Sequence, residues 1–217
     1  MRPLPPTTWQ FGDLAQFPAG EDYLGTGLDW EPATLLHAYA AGAFPMPEDD
    51  GAIGWWSPDP RGVFLPGELV IARSLRRSLR DYTVTFDTDF DAVLVACGDP
   101  RRPDGWINAA VRAAYGRLHA LGRAHSVEVW FEGALVGGLY GVELGGLFAG
   151  ESMFHTRTNA SKVALVALAE RLAAAPGDRI IDTQWCTDHL RTLGCRELAR
   201  PQYLERMRRA LAADEAF

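Results

Sequence analysis

Three polar residues stand where the surrounding sequence is otherwise apolar. Glu151 lies in FAGESMF (148–154), and Asp182 and Gln184 lie in RIIDTQWCTDH (179–189). Burying such groups costs free energy unless they find partners. The set is therefore either a satisfied polar cluster or a reaction centre. Asp182 follows Ile180 and Ile181, and Gln184, two positions on, shares its strand face. A carboxylate held among apolar groups keeps a proton more readily, which suits accepting one from an amine. The Gln184 amide can orient an amine or a carbonyl, and Glu151 adds a negative charge that attracts a cation. Together they suit binding a positively charged amine and letting it attack an activated acyl group.

Other chemistries fit less well. Ser152 in Gly150-Glu-Ser-Met-Phe lacks the second glycine of a G-x-S-x-G elbow. Cys186, Asp188 and His189 sit close in sequence, but such positions on one short helix rarely converge on a point. His155, Cys186 and His189 have no recognised metal-ligand spacing. The three cysteines, an odd number, read as reduced thiols of a cytoplasmic protein.

The elements that must hold the trio can be read around it. SVEVWFEGALVGGLYGVELGGLFAGE gives three strands, turning at Glu132-Gly133 and Gly145-Gly146. Glu151, Ser152 and Met153 then fall on a loop leading to a helix capped by Asn159 and ended before Pro176-Gly177. Residues 178–184 form a buried strand, followed by a short helix to Gly194, a strand at CRELA and a last helix starting at Pro201. Upstream, residues 1–20 are an irregular Pro-rich arm. Asp29 caps a helix to Ala41, with Pro32 in its first turn. Trp55 and Trp56 are neighbours on a strand and must face opposite ways, so one of them lines a surface or cleft, or both bridge a domain seam. Ile71–Asp81 reads as a helix with Arg73, Arg76, Arg77 and Arg80 on one face. Four like charges on one face repel unless an anion lies opposite, which favours a phosphate-binding face over a merely solvated one. A strand follows at 83–90, a short helix from Asp89 to Cys97, a turn-rich loop at 99–108 and a helix from Ala109 to Leu121.

Composition sets the limits. The 217 residues, 47% hydrophobic, can build one large or two small domains with a real core. No apolar run nears the roughly 20 residues a bilayer span needs, and MRPLPPTTWQFGDL is not a signal peptide. The net charge of -7 resides in residues 1–50, which hold eight acids and one Arg. Residues 60–125 carry ten Arg against seven acids, so a local basic face exists whatever the total. Lys162 is the only lysine among 21 basic residues, so codon bias accounts for much of the arginine.

From residue 126 the order is strand, strand, strand, helix, strand, helix, strand, helix. This makes the chain α+β, with an antiparallel meander extended by a strand that returns after a helix. It resembles the core of N-acetyltransferase-like acyltransferases. Those enzymes hold the coenzyme A pyrophosphate in a Gly-rich loop at a helix N-terminus. Here that position reads ESMFHTRTNASK, so an acyl donor other than acetyl-CoA is expected.

WWSPDPRG (55–62), the RSLRR helix, GWI (105–107), RLHALGRAHSVEVW (117–130), VGGLYGV (136–142), FAGESMF, NASK (159–162) and IDTQ…DHL (181–190) run in one order through the chain. From about Tyr23 to Leu204 the sequence resembles the leucyl/phenylalanyl-tRNA–protein transferase family. The resemblance implies transfer of Leu, Phe or, less well, Met from aminoacyl-tRNA to the α-amine of proteins beginning with Arg or Lys, which marks them for the N-degron route. It implies a small N-terminal α+β domain (1–66, with 67–108 completing it or linking) and an acetyltransferase-like catalytic domain (109–217). No metal or coenzyme, no membrane and a cytoplasmic monomer are expected. Carried over, Asp182 and Gln184 are a proton-relay pair and Glu151 positions substrate. Trp106, Leu139, Met153, Leu165, Leu168 and Ile181, together with Met46 and Ser152, form the aminoacyl pocket, and Arg73, Arg76, Arg77 and Arg80 hold the acceptor stem. The family's usual G-x-F-P-W reads Gly42-Ala-Phe44-Pro45-Met46 here; Thr187 stands where Asn is frequent, and Leu139 replaces a common Met. These departures bear on the preference among Leu, Phe and Met. A transferase with another amine acceptor, or a silent tRNA-binding module, is the competing expectation.

Overall fold

Reversals in the chain fall at residues that tolerate positive φ. Gly42 (φ 93°) ends the first helix, and Gly133 and Gly145 (φ 78° and 59°) turn the two hairpins. The computed structural model describes residues 2–102 and 105–217, so Pro103 and Asp104 of the expected 99–108 loop lie outside the described residues. After a short 3-10 turn at Leu14–Gln16 come β1 (Tyr23–Thr26), α1 (Pro32–Ala41), β2 (Phe44–Pro47), β3 (Ile53–Trp56) and β4 (Arg61–Phe64). Then follow α2 (Arg73–Ser78), β5 (Thr83–Phe86), α3 (Phe90–Cys97), α4 (Ala109–Ala120), β6 (Ala124–Phe131), β7 (Ala134–Leu144) and β8 (Leu147–His155). The chain ends with α5 (Ala160–Ala174), β9 (Ile180–Gln184), α6 (Asp188–Arg191), β10 (Arg196–Leu198) and α7 (Arg200–Leu211).

Strands β1, β3 and β2 form a small sheet, and the other seven form one mixed sheet in the order β10-β4-β9-β8-β7-β6-β5. All neighbours in the large sheet are antiparallel except β8 and β9, which α5 connects as a crossover. The α+β class and the meander with a returning strand are as the element order predicts. Strand β4, drawn from the N-terminal region, is built into the large sheet beside β9. Alternation along the strands feeds two cores. Tyr140, Ala149 and Ile180 pack with residues of α1, α3, α4 and α7, while Leu139, Phe148 and Ile181 pack with residues of α5 and with Leu75 of α2.

Several local expectations are corrected. The cap of α1 is Glu31, not Asp29, whose carboxylate instead accepts the Glu31 N–H. Asn159 is the N-cap residue of α5 as expected, but it sits in the left-handed region and its side chain makes no capping bond; its amide donates instead to the Ser78 hydroxyl. The arginine-rich helix is shorter than Ile71–Asp81 because its last residues tighten into a turn, with Arg80 N–H donating to Arg77 O. Glu151, Ser152 and Met153 belong to β8 and not to a loop. The tryptophan pair divides as alternation requires, Trp55 buried in the core and Trp56 half-buried on the other face. Among the described residues no helix is long and apolar enough to cross a membrane.

Candidate active site

The site opens where β8 and β9 separate. They pair only from Leu147–Ala149 to Ile180–Asp182; beyond that, β8 follows β7 and β9 follows β4. Each diverging strand carries an extra residue. Tyr140 faces Ser152 and Gly141 faces Gly150, which leaves Glu151 unmatched in β8. Gly62 faces Gln184 and Val63 faces Asp182, which leaves Thr183 unmatched in β9. Such bulges bend a strand and re-aim the side chains at the bend. A glycine opposes each. A Cβ on Gly141 would lie 2.3 Å from the Ala149 carbonyl oxygen, and one on Gly62 would lie 2.5 Å from the Cys186 nitrogen.

A cavity of about 150 Å³ fills the split. Leu139, Met153, Leu165, Leu168 and Ile181 line its apolar part, with Leu190 added, and Glu151, Ser152, Thr183 and Gln184 supply its polar groups. Trp106 and Met46, expected in the pocket, are not among its walls; both pack against the core on the α1 and α4 side.

Asp182 does not line the cavity. Its carboxylate accepts Arg61 Nε and Nη2 at 2.8 and 2.7 Å, the Tyr203 hydroxyl at 2.8 Å and the Gln184 N–H at 2.9 Å. The apolar surroundings suggested by Ile180 and Ile181 are thus replaced by a saturated ion pair, because β4 lays Arg61 alongside β9. Nor does Gln184 continue the strand face of Asp182: the bulge at Thr183 comes between them, and Gln184 ends β9 at φ 58°. Gln184 is only 8% exposed and its Nε2 has no partner among the described residues, although an orphaned buried amide is costly.

Glu151 has the electrostatics expected of Asp182. Burial pushes its carboxyl up to about 7; the nearby hydroxyls of Tyr39 and Tyr115 oppose this, Asp182 adds to it and Arg61 reduces it. Oε2 accepts the Tyr115 hydroxyl at 2.8 Å, and Tyr115 is hydrogen-bonded in turn to Tyr39. Oε1 is buried with no hydrogen-bond partner among the described residues. The site therefore presents a carboxylate oxygen that lacks a donor and an amide N–H that lacks an acceptor, beside an apolar cavity. An amine with a carbonyl compound satisfies both.

Residues the sequence did not single out hold this arrangement: Arg61, Tyr39, Tyr115 and Tyr203. The signal for Arg61 was a lone cation in the otherwise apolar strand RGVF. The tyrosines sit at unremarked helical core positions. Arg73, Arg76, Arg77 and Arg80 are exposed, and none makes an ion pair among the described residues. Leu75 seats α2 in the core that α5 shares, and α5 supplies Leu165 and Leu168 to the cavity. Burial raises the Cys97 thiol to about 11 and Cys195 to about 12, which disfavours thiolate chemistry at either. Among the described residues no three His, Cys, Asp or Glu side chains are grouped to hold a metal ion.

Comparison with known proteins agrees across most of the chain. Residues 63–208 match the family profile described as leucyl/phenylalanyl-tRNA protein transferase, and 29–59 match the profile for its N-terminal domain. A leucyl/phenylalanyl-tRNA–protein transferase of Aromatoleum aromaticum is 53% identical over 184 residues, covering 83% of this chain and 77% of that one. One from Pseudomonas entomophila is 48% identical over 215 residues, covering 94% and 95%. A solved GCN5-related N-acetyltransferase from Kribbella flavida superposes with a TM-score of 0.44 at 13% identity, over 77% of this chain and 61% of that one.

Proposed function

We propose that this chain, which belongs to the leucyl/phenylalanyl-tRNA–protein transferase family, moves Leu, Phe or Met from aminoacyl-tRNA to the α-amine of proteins that begin with Arg or Lys. The product carries a new bulky N-terminal residue, the mark of the N-degron route. The observation that carries this reading is the apolar cavity flanked by an orphaned Glu151 Oε1 and an orphaned Gln184 Nε2. An apolar cavity of roughly 150 Å³ accepts a benzene-sized group, and the walls here suit an unbranched-Cβ side chain such as Leu, Phe or Met.

The chemistry needs little more than placement, since an aminoacyl ester is already activated. The acceptor arrives as an ammonium and Glu151 takes its proton. The neutral nitrogen attacks the ester carbonyl, whose oxygen accepts a hydrogen bond from Gln184 Nε2. The C–N bond forms, the tetrahedral adduct collapses, the C–O bond to the tRNA ribose breaks, and the proton that the attacking nitrogen gives up passes to the ribose oxygen, directly or through its neighbouring hydroxyl. Asp182 acts through Gln184: clamped by Arg61, it holds the Gln184 N–H and so fixes the turn that presents the amide. The exposed arginines of α2 contact acceptor-stem phosphates, which gives affinity that falls with salt and is indifferent to tRNA sequence.

The test is transfer of labelled Leu or Phe from charged tRNA to two peptides. A peptide beginning with Arg is expected to be labelled and one beginning with Ala is not. Labelling of neither, with charged tRNA still bound, overturns the reading.

A further inference from the structure

Two sequence features remain unexplained by aminoacyl transfer: the tryptophan pair and the acid surplus of the first fifty residues. The fold brings them together beside Gln184. Trp185, the next residue, meets Trp56 with ring centroids 6.1 Å apart and Phe44 at 5.3 Å, and Tyr23 lies 4.8 Å from Trp56. Tyr23 and Trp185 are 40% and 39% exposed. Rings that served only as a seam would be covered. Two carboxylates frame them. Glu48 accepts the Tyr23 hydroxyl at 2.6 Å, and Asp22 accepts Trp185 Nε1 at 3.2 Å. Gly54 lies against both groups: a Cβ there would be 2.7 Å from Glu48 Oε1 and 3.1 Å from Trp56 Nε1. Neither Glu48 nor Asp22 has a cationic partner among the described residues.

Exposed aromatic faces bordered by unneutralised carboxylates attract cations. The wall adjoins the cavity along the chain itself, because Gln184 lines the cavity and Trp185 is the next residue. We propose that the wall of Trp185, Trp56 and Tyr23, with Glu48 and Asp22, receives the cationic side chain of the acceptor's first residue while its α-amine lies at Glu151. The inference deepens the transfer reading and rests on it for which amine is acylated. Stacking of a tRNA base on the same rings is disfavoured, because the carboxylates would repel the adjoining phosphates.

Calorimetry on the intact protein tests this with two short peptides that differ only in a first residue of Arg or its neutral isostere citrulline. The Arg peptide is expected to bind about ten-fold more tightly. Glu48→Gln, whose amide oxygen still accepts the Tyr23 hydroxyl, should narrow that ratio to about three-fold, in line with a screened exposed charge. Trp185→Ala should weaken the Arg peptide by about three- to ten-fold and Trp185→Phe should recover most of the loss. Affinity for charged tRNA should not move in any variant. Equal affinity for the two peptides, or no response to Glu48→Gln and Trp185→Ala, overturns the proposal. So does a loss that appears in tRNA affinity instead, which would mark base stacking. Charge-selective peptide binding without any transfer would leave this surface standing and remove the transfer reading.

Discussion

Arg61 and Asp182 form a bidentate pair at 2.8 and 2.7 Å, with each side chain 1% exposed. The guanidinium also lies over the rings of Phe44 and Tyr203, at 4.9 and 4.6 Å, and donates to Gly42 O. One buried charge pair therefore ties the small sheet, the strand bearing Gln184 and the last helix to a single point.

Removing Arg61 leaves a carboxylate buried without its cation. Arg61→Met should cost about 3–5 kcal/mol of stability. Asp182→Asn keeps hydrogen-bonding capacity and should cost less, while lowering turnover far more than it weakens tRNA binding. Urea titration and single-turnover transfer read the two effects. A near-neutral Arg61→Met would mean that the pair does not organise the site.

The transfer rate should rise as Glu151 loses its proton. With the carboxyl pushed up to about 7, the single-turnover rate climbs through neutral pH and then levels. Glu151→Gln should remove that limb and slow the reaction by about 10²–10⁴-fold, the range of general base catalysis. The profile is best measured with an acceptor whose amine titrates well away from 7. A Gln variant that keeps the limb would assign it elsewhere.

The same carboxyl should cost stability as pH rises. Unfolded, it titrates near its ordinary value of 4.5, whereas the folded chain holds the proton up to about 7. Between those values the unfolded state sheds a proton that the native state keeps, so native stability falls across the window by an amount on the order of 3 kcal/mol. The difference between wild type and Glu151→Gln should therefore grow from pH 4.5 to 7 in favour of the variant and then stay constant. Parallel stability curves would show that Glu151 is not strained by burial.

Arg76 and Arg77 are exposed and make no ion pair among the described residues. Replacing both by Ala should weaken charged-tRNA binding and reduce the slope of log affinity against log salt by about 1.5. An unchanged slope would take α2 out of the tRNA contact.

The meander, its glycine turns and the nearness of Glu151 to Gln184 were legible because alternation and turn residues are local signals. Leu139, Met153, Leu165, Leu168 and Ile181 were named through the family resemblance and not from their own spacing, and all five line the cavity. The partner of Asp182 was not legible, since Arg61 is 121 residues away and strand neighbours leave no trace in a single sequence. That distance is why the roles of Asp182 and Glu151 read differently in the folded chain. The bulge at Glu151 was hidden too, because one surplus residue does not disturb the composition of a strand. Met46 and Trp106 looked like pocket residues from motif position alone, whereas both pack against the core that α1 and α4 share.

The bulges also separate what the two sides of each ladder must do. Glu151 lies outside the pairing count of β8, so exchanging its side chain leaves every rung intact. Gly141 and Gly62 bear no reactive group, yet a single added carbon at either would collide with backbone at 2.3 or 2.5 Å. Tolerance is therefore inverted relative to chemistry. The carboxylate can be lost from a chain that still folds, whereas the inert glycines opposite the bulges are the positions where a methyl group would disable architecture and reaction together.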